Sequence, residues 1–114
     1  MSPVKRVWEL PEEPHPVLRN VMVRVLWSKR DDDGDATCVL VRCPVGSEIE
    51  EHAHSEQWDL VYVLEGKATM WVEGRGEFQI TPGTFVAVPT GRRHRTFNIE
   101  EDLLIYSVFS PPTF

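Results

Sequence analysis

Several features are scarce in this chain, and each scarcity closes off a class of protein. Cysteine occurs twice in 114 residues, at Cys38 and Cys43. A disulfide-stapled scaffold needs more than that. Both cysteines lie in ATCVLVRC, an odd number of residues apart, so on one strand they face opposite ways and do not bridge. They read as free, packed thiols, a usage that fits a cytoplasmic protein. Positive charge is also short. Twelve Lys and Arg stand against 18 Asp and Glu, for a net charge of -6 and a pI near 5.1. Such a chain has no overall field to draw it to nucleic acid or to an anionic membrane. Long apolar runs are missing, so no segment reads as a membrane span. The opening MSPVKRVWELPEE lacks the apolar stretch of a signal peptide. Sustained helical periodicity is absent too.

What is present is strand signal. The composition, 41% hydrophobic and 26% charged, is that of a soluble globular domain. The length suits one domain with its own core. Residues 1–19 hold the proline-rich LPEEPHP and read as an extended arm, a candidate dimer contact. Residues 20–114 read as the domain proper. NVMVRVLW (20–27) alternates, with Val21, Val23 and Val25 on one face, and ATCVLVRC (36–43) follows it. Then come WDLVYVLEG (58–66), ATMWVEG (68–74), GEFQITPG (76–83), TFVAVPTG (84–91), HRTFNI (94–99) and LLIYSVF (103–109). Gly, Pro or acidic residues separate them. DDDGD (31–35) reads as a polar turn, EGRGE (73–77) as a hairpin turn and EEDL (100–103) as a solvated turn. About eight short strands in one domain predict an all-β sandwich, jelly roll or barrel.

Three of the four histidines stand where chemistry is expected. His52 and His54 open a strand segment two residues apart, which puts them on one face. His94 follows the turn PTGRRH, and His15 lies in the arm. Three imidazoles and a nearby carboxylate suit a divalent ion such as Fe, Mn, Ni, Co or Zn, although solvated histidines are common. Arg92 and Arg93 in the same turn read either as a solvated basic turn or as residues that hold a substrate carboxylate. Trp8, Trp27 and Trp71 read as packing residues, whereas Trp58 points away from the interior. Met70, Phe85, Phe97 and Tyr106 are candidates for a pocket wall or the sheet core.

The spacing of these residues resembles the cupin superfamily, in the form of the small single-domain cupin with one conserved barrel. Its first motif is matched by Gly46, five residues, His52-Ala53-His54, four residues, Asp59, six residues and Gly66. Its second is matched by Gly83, five residues, Pro89-Thr90-Gly91, two residues, His94, three residues and Asn98. Sixteen residues separate the two motifs. The resemblance implies a double-stranded β-helix, the cupin barrel or jelly roll. It implies a divalent metal held by His52, His54, Asp59 and His94. On the barrel strands, Asp59, Val61 and Val63 are then expected to face inward, as are His94, Thr96 and Asn98. The family's Glu is Asp59 here. Asp is one methylene shorter, so Asp59 is expected to act through a water, and Asp59→Glu to tighten the site. Small-molecule binding and a homodimer are also implied. Two function classes follow. One is a metal-dependent enzyme, dioxygenase-like or an isomerase or lyase on a small polar acid or sugar. The other is a non-catalytic metal- or metabolite-binding module.

Overall fold

Apolar and β-branched residues at every second position make this chain pair rather than coil. The structure is a computed structural model and describes residues 2–114. Its strands are β1 (Glu12–Pro14), β2 (Met22–Trp27), β3 (Thr37–Cys43), β4 (Ile49–His52), β5 (Trp58–Val72), β6 (Gly76–Ile80), β7 (Phe85–Val88) and β8 (His94–Ser110). Among the described residues, helix amounts to a 3-10 turn at Val7–Glu9 and one short α-helical turn, α1 (Lys29–Asp32). No helix among them is long and apolar enough to cross a membrane.

Two long strands organise the fold. The first half of β5 pairs with the second half of β8, from Trp58↔Ser110 to Val63↔Ile105. That leaf extends through β3, β2 and β1 on one side and β7 on the other. The second half of β5 pairs with the first half of β8, from Thr69↔Phe97 to Val72↔His94, and that leaf extends to β6 and β4. Both leaves feed one core: Val39, Val41, Val61 and Ile105 from the first meet Met70 and Val72 from the second. The leaves therefore face each other, and the all-β barrel expected from the sequence is what forms.

The count of eight strands holds but the boundaries change, because β1 and β4 are additions and β5 and β8 each join two expected strands. Each reads as two strands in the sequence, because Gly66 and the acidic EEDL look like breaks. Both are continuous strands that bend. Gly66 takes φ +95°, and the β5–β8 register shifts around it, yet pairing resumes at Lys67↔Glu101. Asn98 takes φ +50° and is exposed. This left-handed residue shifts the alternation, so Ile99 is buried instead, and the expected inward Asn98 is not observed. Asp59, Val61, Val63, His94 and Thr96 do face inward.

DDDGD, expected as a polar turn, instead begins inside a short helical turn. Ser28 caps α1 by accepting from the Asp31 N–H, and Asp33 ends it in the left-handed region at φ 55°. Asp32 is buried, and Lys5 Nζ lies 2.7 Å from its carboxylate. Hydrogen bonding from Lys5 holds the Asp32 carboxyl below the usual range, despite the opposing cost of burial. A carboxylate depressed in the folded state stabilises fully above its unfolded pKa of about 4 and loses that contribution as the pH falls through the folded value. Lys5→Met is therefore expected to lower the thermal midpoint at pH 7. The deficit relative to the parent chain should close as the pH drops below about 4, in paired thermal melts.

The arm is held within its own chain. β1 covers the edge of β2, and the His15 N–H donates to the Val21 carbonyl at 2.8 Å. Cys38 and Cys43 are free, and burial pushes the Cys43 thiol up to about 12.

Candidate metal centre

The site forms where β4 and β8 pair. His52 sits opposite His94 in the register, with ring centroids 4.2 Å apart. His54 lies just past the end of β4, 4.9 Å from His52 and 5.5 Å from His94, ring to ring. The turn before β8 is tied to this segment, because the Gly91 N–H donates to the His54 carbonyl at 2.8 Å. Gly91 reaches that position with φ +79°, where a side chain would be strained. Asp59 comes from the adjoining β5 and is 6% exposed.

One ligand atom from each of His52, His54, Asp59 and His94 lies within 4.8 Å of every other. Asp59 Oδ2 is 3.3 Å from His94 Nε2 and 3.7 Å from His54 Nε2. Two of the imidazoles are oriented from behind. His52 Nδ1–H donates to the Glu50 carbonyl at 2.7 Å, and His94 Nδ1–H to the Arg92 carbonyl at 3.0 Å. A carbonyl only accepts, so the proton is on Nδ1 and the Nε2 lone pair is left for the cluster.

That arrangement is electrostatically incomplete by itself. His54 Nε2 and Asp59 Oδ1 are buried without a hydrogen-bond partner. Polar atoms from four residues converge there, and a buried polar atom without a partner costs about 1–3 kcal/mol. A divalent cation at that point relieves all of them at once, so the donor set fits a metal of the imidazole–carboxylate class. Burial lowers the pKa of His52 and so favours its neutral, ligating form.

Asp59 Oδ2 thus stands within 4 Å of two imidazole nitrogens, and whether it holds an ion directly or through a water depends on the position of β5, which a sequence does not give.

The cluster opens onto a cavity of about 400 Å³. Beyond the cluster its wall is apolar at Val41, Val61, Met70, Ile105 and Phe109, and polar at Thr96, Ser107, His15, Glu50 and Glu51. Of the aromatic and methionine candidates, only Met70 lines it; Phe85 is 61% exposed on the outer face. Phe109 was not expected there, and it stacks edge-on with His54 at 5.1 Å. His15, Val17 and Leu18 from the arm also border the cavity, and only tertiary structure brings them there. Arg92 lies outside, along a shallow groove with Arg75, Phe78 and Phe85. Arg93 Nε pairs with Glu51 Oε2 at 2.5 Å, and Glu51 borders the cavity rim. Both arginines precede β8 in an exposed turn, so neither side chain reaches the cavity wall.

Residues 39–109 match the family model described as the cupin domain. The chain is 35% identical over 71 residues to quercetin 2,3-dioxygenase of Bacillus subtilis, covering 62% of this chain and 21% of that protein. It is 32% identical over 117 residues to glucose-6-phosphate isomerase of Pyrococcus furiosus, covering 94% of this chain and 62% of that one. The chain thus spans about a fifth of the first relative and under two thirds of the second. Among solved structures, an RmlC-like cupin from Shewanella frigidimarina superposes with a TM-score of 0.82 at 20% identity, over 97% of this chain and 92% of that one. At that identity the shared property is the fold.

Proposed function

The chain belongs to the cupin family, and on that premise we propose that it is a metal-dependent enzyme of dioxygenase type acting on a small, mainly apolar molecule. His52, His54, Asp59 and His94 hold one divalent ion, with Asp59 as a direct ligand. The observation that carries this is the convergence of four ligand residues, with His54 Nε2 and Asp59 Oδ1 buried and unpartnered, beside a cavity. When bound, the ion supplies Lewis-acid polarisation of a substrate oxygen or a binding position for O₂. The chain's own residues do the rest. Glu50 and Arg92 carbonyls fix the imidazole tautomers, and Val61, Met70, Ile105 and Phe109 exclude water from the substrate. A sugar phosphate needs a cationic partner for its phosphate, and the cavity lining holds acidic and imidazole side chains but no Lys or Arg. The cavity therefore favours dioxygenase chemistry over isomerase chemistry on a sugar.

The test loads the chain with Fe(II), Mn(II), Co(II), Ni(II) or Zn(II) and offers flavonols, catechols and diketones. The expected result is O₂ uptake in step with substrate loss for at least one redox-active ion. Saturable binding without turnover would instead make this a non-catalytic binding module.

Asp59→Glu checks the direct carboxylate. An added methylene at a 6% exposed position overpacks the site. The substitution should weaken metal affinity on the order of tenfold, as read by competition with a chromogenic chelator. Tightening would restore the water-bridged arrangement.

The unpaired thiols are in keeping with a cytoplasmic setting. The proposal includes a homodimer joined through N-terminal residues. Val4 and Trp8 are 70% and 65% exposed, and large exposed apolar groups mark contact surfaces. Light scattering at micromolar concentration should give twice the chain mass, and Trp8→Glu should give the monomer. A monomeric parent chain rejects the dimer.

A further inference from the structure

The arm contributes one polar side chain to the cavity, and its hydrogen bonds give it a definite chemical state. A second hollow of about 430 Å³ adjoins the metal-site cavity, and the two share His15, Val41, His54 and Phe109. His15 therefore stands between two mainly apolar chambers. Its Nδ1 accepts from the Val17 N–H at 3.1 Å and from the Leu18 N–H at 3.0 Å. A ring nitrogen that accepts carries no proton, so the neutral ring bears its proton on Nε2. Protonating Nδ1 would set N–H against two N–H groups. Burial also lowers the His15 pKa, in the same direction. Among the described residues nothing accepts from Nε2–H.

We propose that His15 is a ligand-orienting residue, whose neutral Nε2–H donates to a carbonyl-type oxygen of a small molecule bound by its other end at the His52–His54–Asp59–His94 cluster. The inference rests on the cavity being a ligand site, as proposed above. It adds a constraint on the ligand class: a mainly apolar molecule with two separated oxygen functions, one for the metal and one for His15. The wall beside His15 offers Val17, Leu18 and Val41, so a donor there has disproportionate weight in fixing which way the ligand lies.

A plainer role for His15 is to brace the turn that follows it. Asparagine separates the two roles. Its side-chain oxygen accepts from N–H groups two and three residues on, as Nδ1 does here, but it does not extend a donor to where Nε2 sits. The experiment uses the full chain loaded with Zn(II), which does not turn over oxygen. Calorimetry compares 4-oxopentanoate, 5-oxohexanoate and 6-oxoheptanoate with pentanoate, hexanoate and heptanoate. At least one keto acid should bind about threefold to tenfold more tightly than its parent acid, the range of one net hydrogen bond. His15→Asn should remove that preference and leave the thermal midpoint and the zinc content unchanged. Long-range proton–nitrogen NMR on the metal-free chain should place the His15 proton on Nε2. No keto-acid preference in the parent chain, a preference that survives His15→Asn, or a proton on Nδ1 would overturn the proposal. A chain that takes up no zinc by elemental analysis instead fails the metal assignment, and the NMR tautomer then decides His15 by itself.

Discussion

Replacing His52 and His54 together with alanine takes the chain from one bound divalent ion to none, measured by elemental analysis after loading and desalting. The size of the effect follows from where the donors are. His52 and His94 face each other across the β4–β8 register, and His54 is the proposed ligand whose buried Nε2 has no partner. Removing two imidazoles leaves His94 and Asp59, whose Nε2 and Oδ2 are 3.3 Å apart. Two donors on one side of an ion do not compete with chelation by buffer and wash. The fold should survive, because both removed side chains lie at the cavity rather than in the apolar core. An unchanged circular dichroism spectrum with zero metal is the expected pair of results. Metal retained at one ion per chain would move the site elsewhere.

The second large effect is in the spine of the barrel. Gly66→Ala is expected to destabilise the chain by about 3 kcal/mol or more, combining left-handed strain with a backbone clash. A Cβ at Gly66 would fall 2.3 Å from the Asp102 carbonyl oxygen and 2.7 Å from Leu103 Cα, with φ at +95°. Those atoms belong to β8 where it bends against β5, and Leu103 is fully buried, so neither strand can retreat without opening the core. Gly46 is the control. It has φ +92° as well, but nothing lies within 4 Å of its would-be Cβ. Gly46→Ala therefore costs only the conformational strain, about 1–2 kcal/mol. Urea melts of the two variants should separate clearly. Equal losses would mean that the crowding at Gly66 contributes nothing.

The barrel and the four clustered residues were legible in the sequence for a physical reason. His52 and His54 read as opening one strand, whereas His52 ends β4 and His54 lies just beyond it; the motif spacing still brings both to His94 and Asp59. What was not legible depends on the path of the backbone through space. A glycine at positive φ looks the same in sequence whether it ends a strand or bends one, so β5 and β8 each read as two strands. Asn98 shifts the alternation by one residue, and parity alone gives no warning of that. Asp32 reads as one of three aspartates in a polar turn until Lys5, 27 residues earlier, comes to lie beside it. The reach of Asp59 depends on how far β5 stands from β8. His15 has no motif around it, and reaches the cavity only because β1 folds back onto β2.

Anomalous diffraction from crystals of the metal-loaded chain tests the central claim most directly. One peak per chain is predicted at about 2.0–2.2 Å from an imidazole nitrogen of each of His52, His54 and His94 and from a carboxylate oxygen of Asp59. A peak bound by other residues, or none at this cluster in a chain that retains metal, would contradict it.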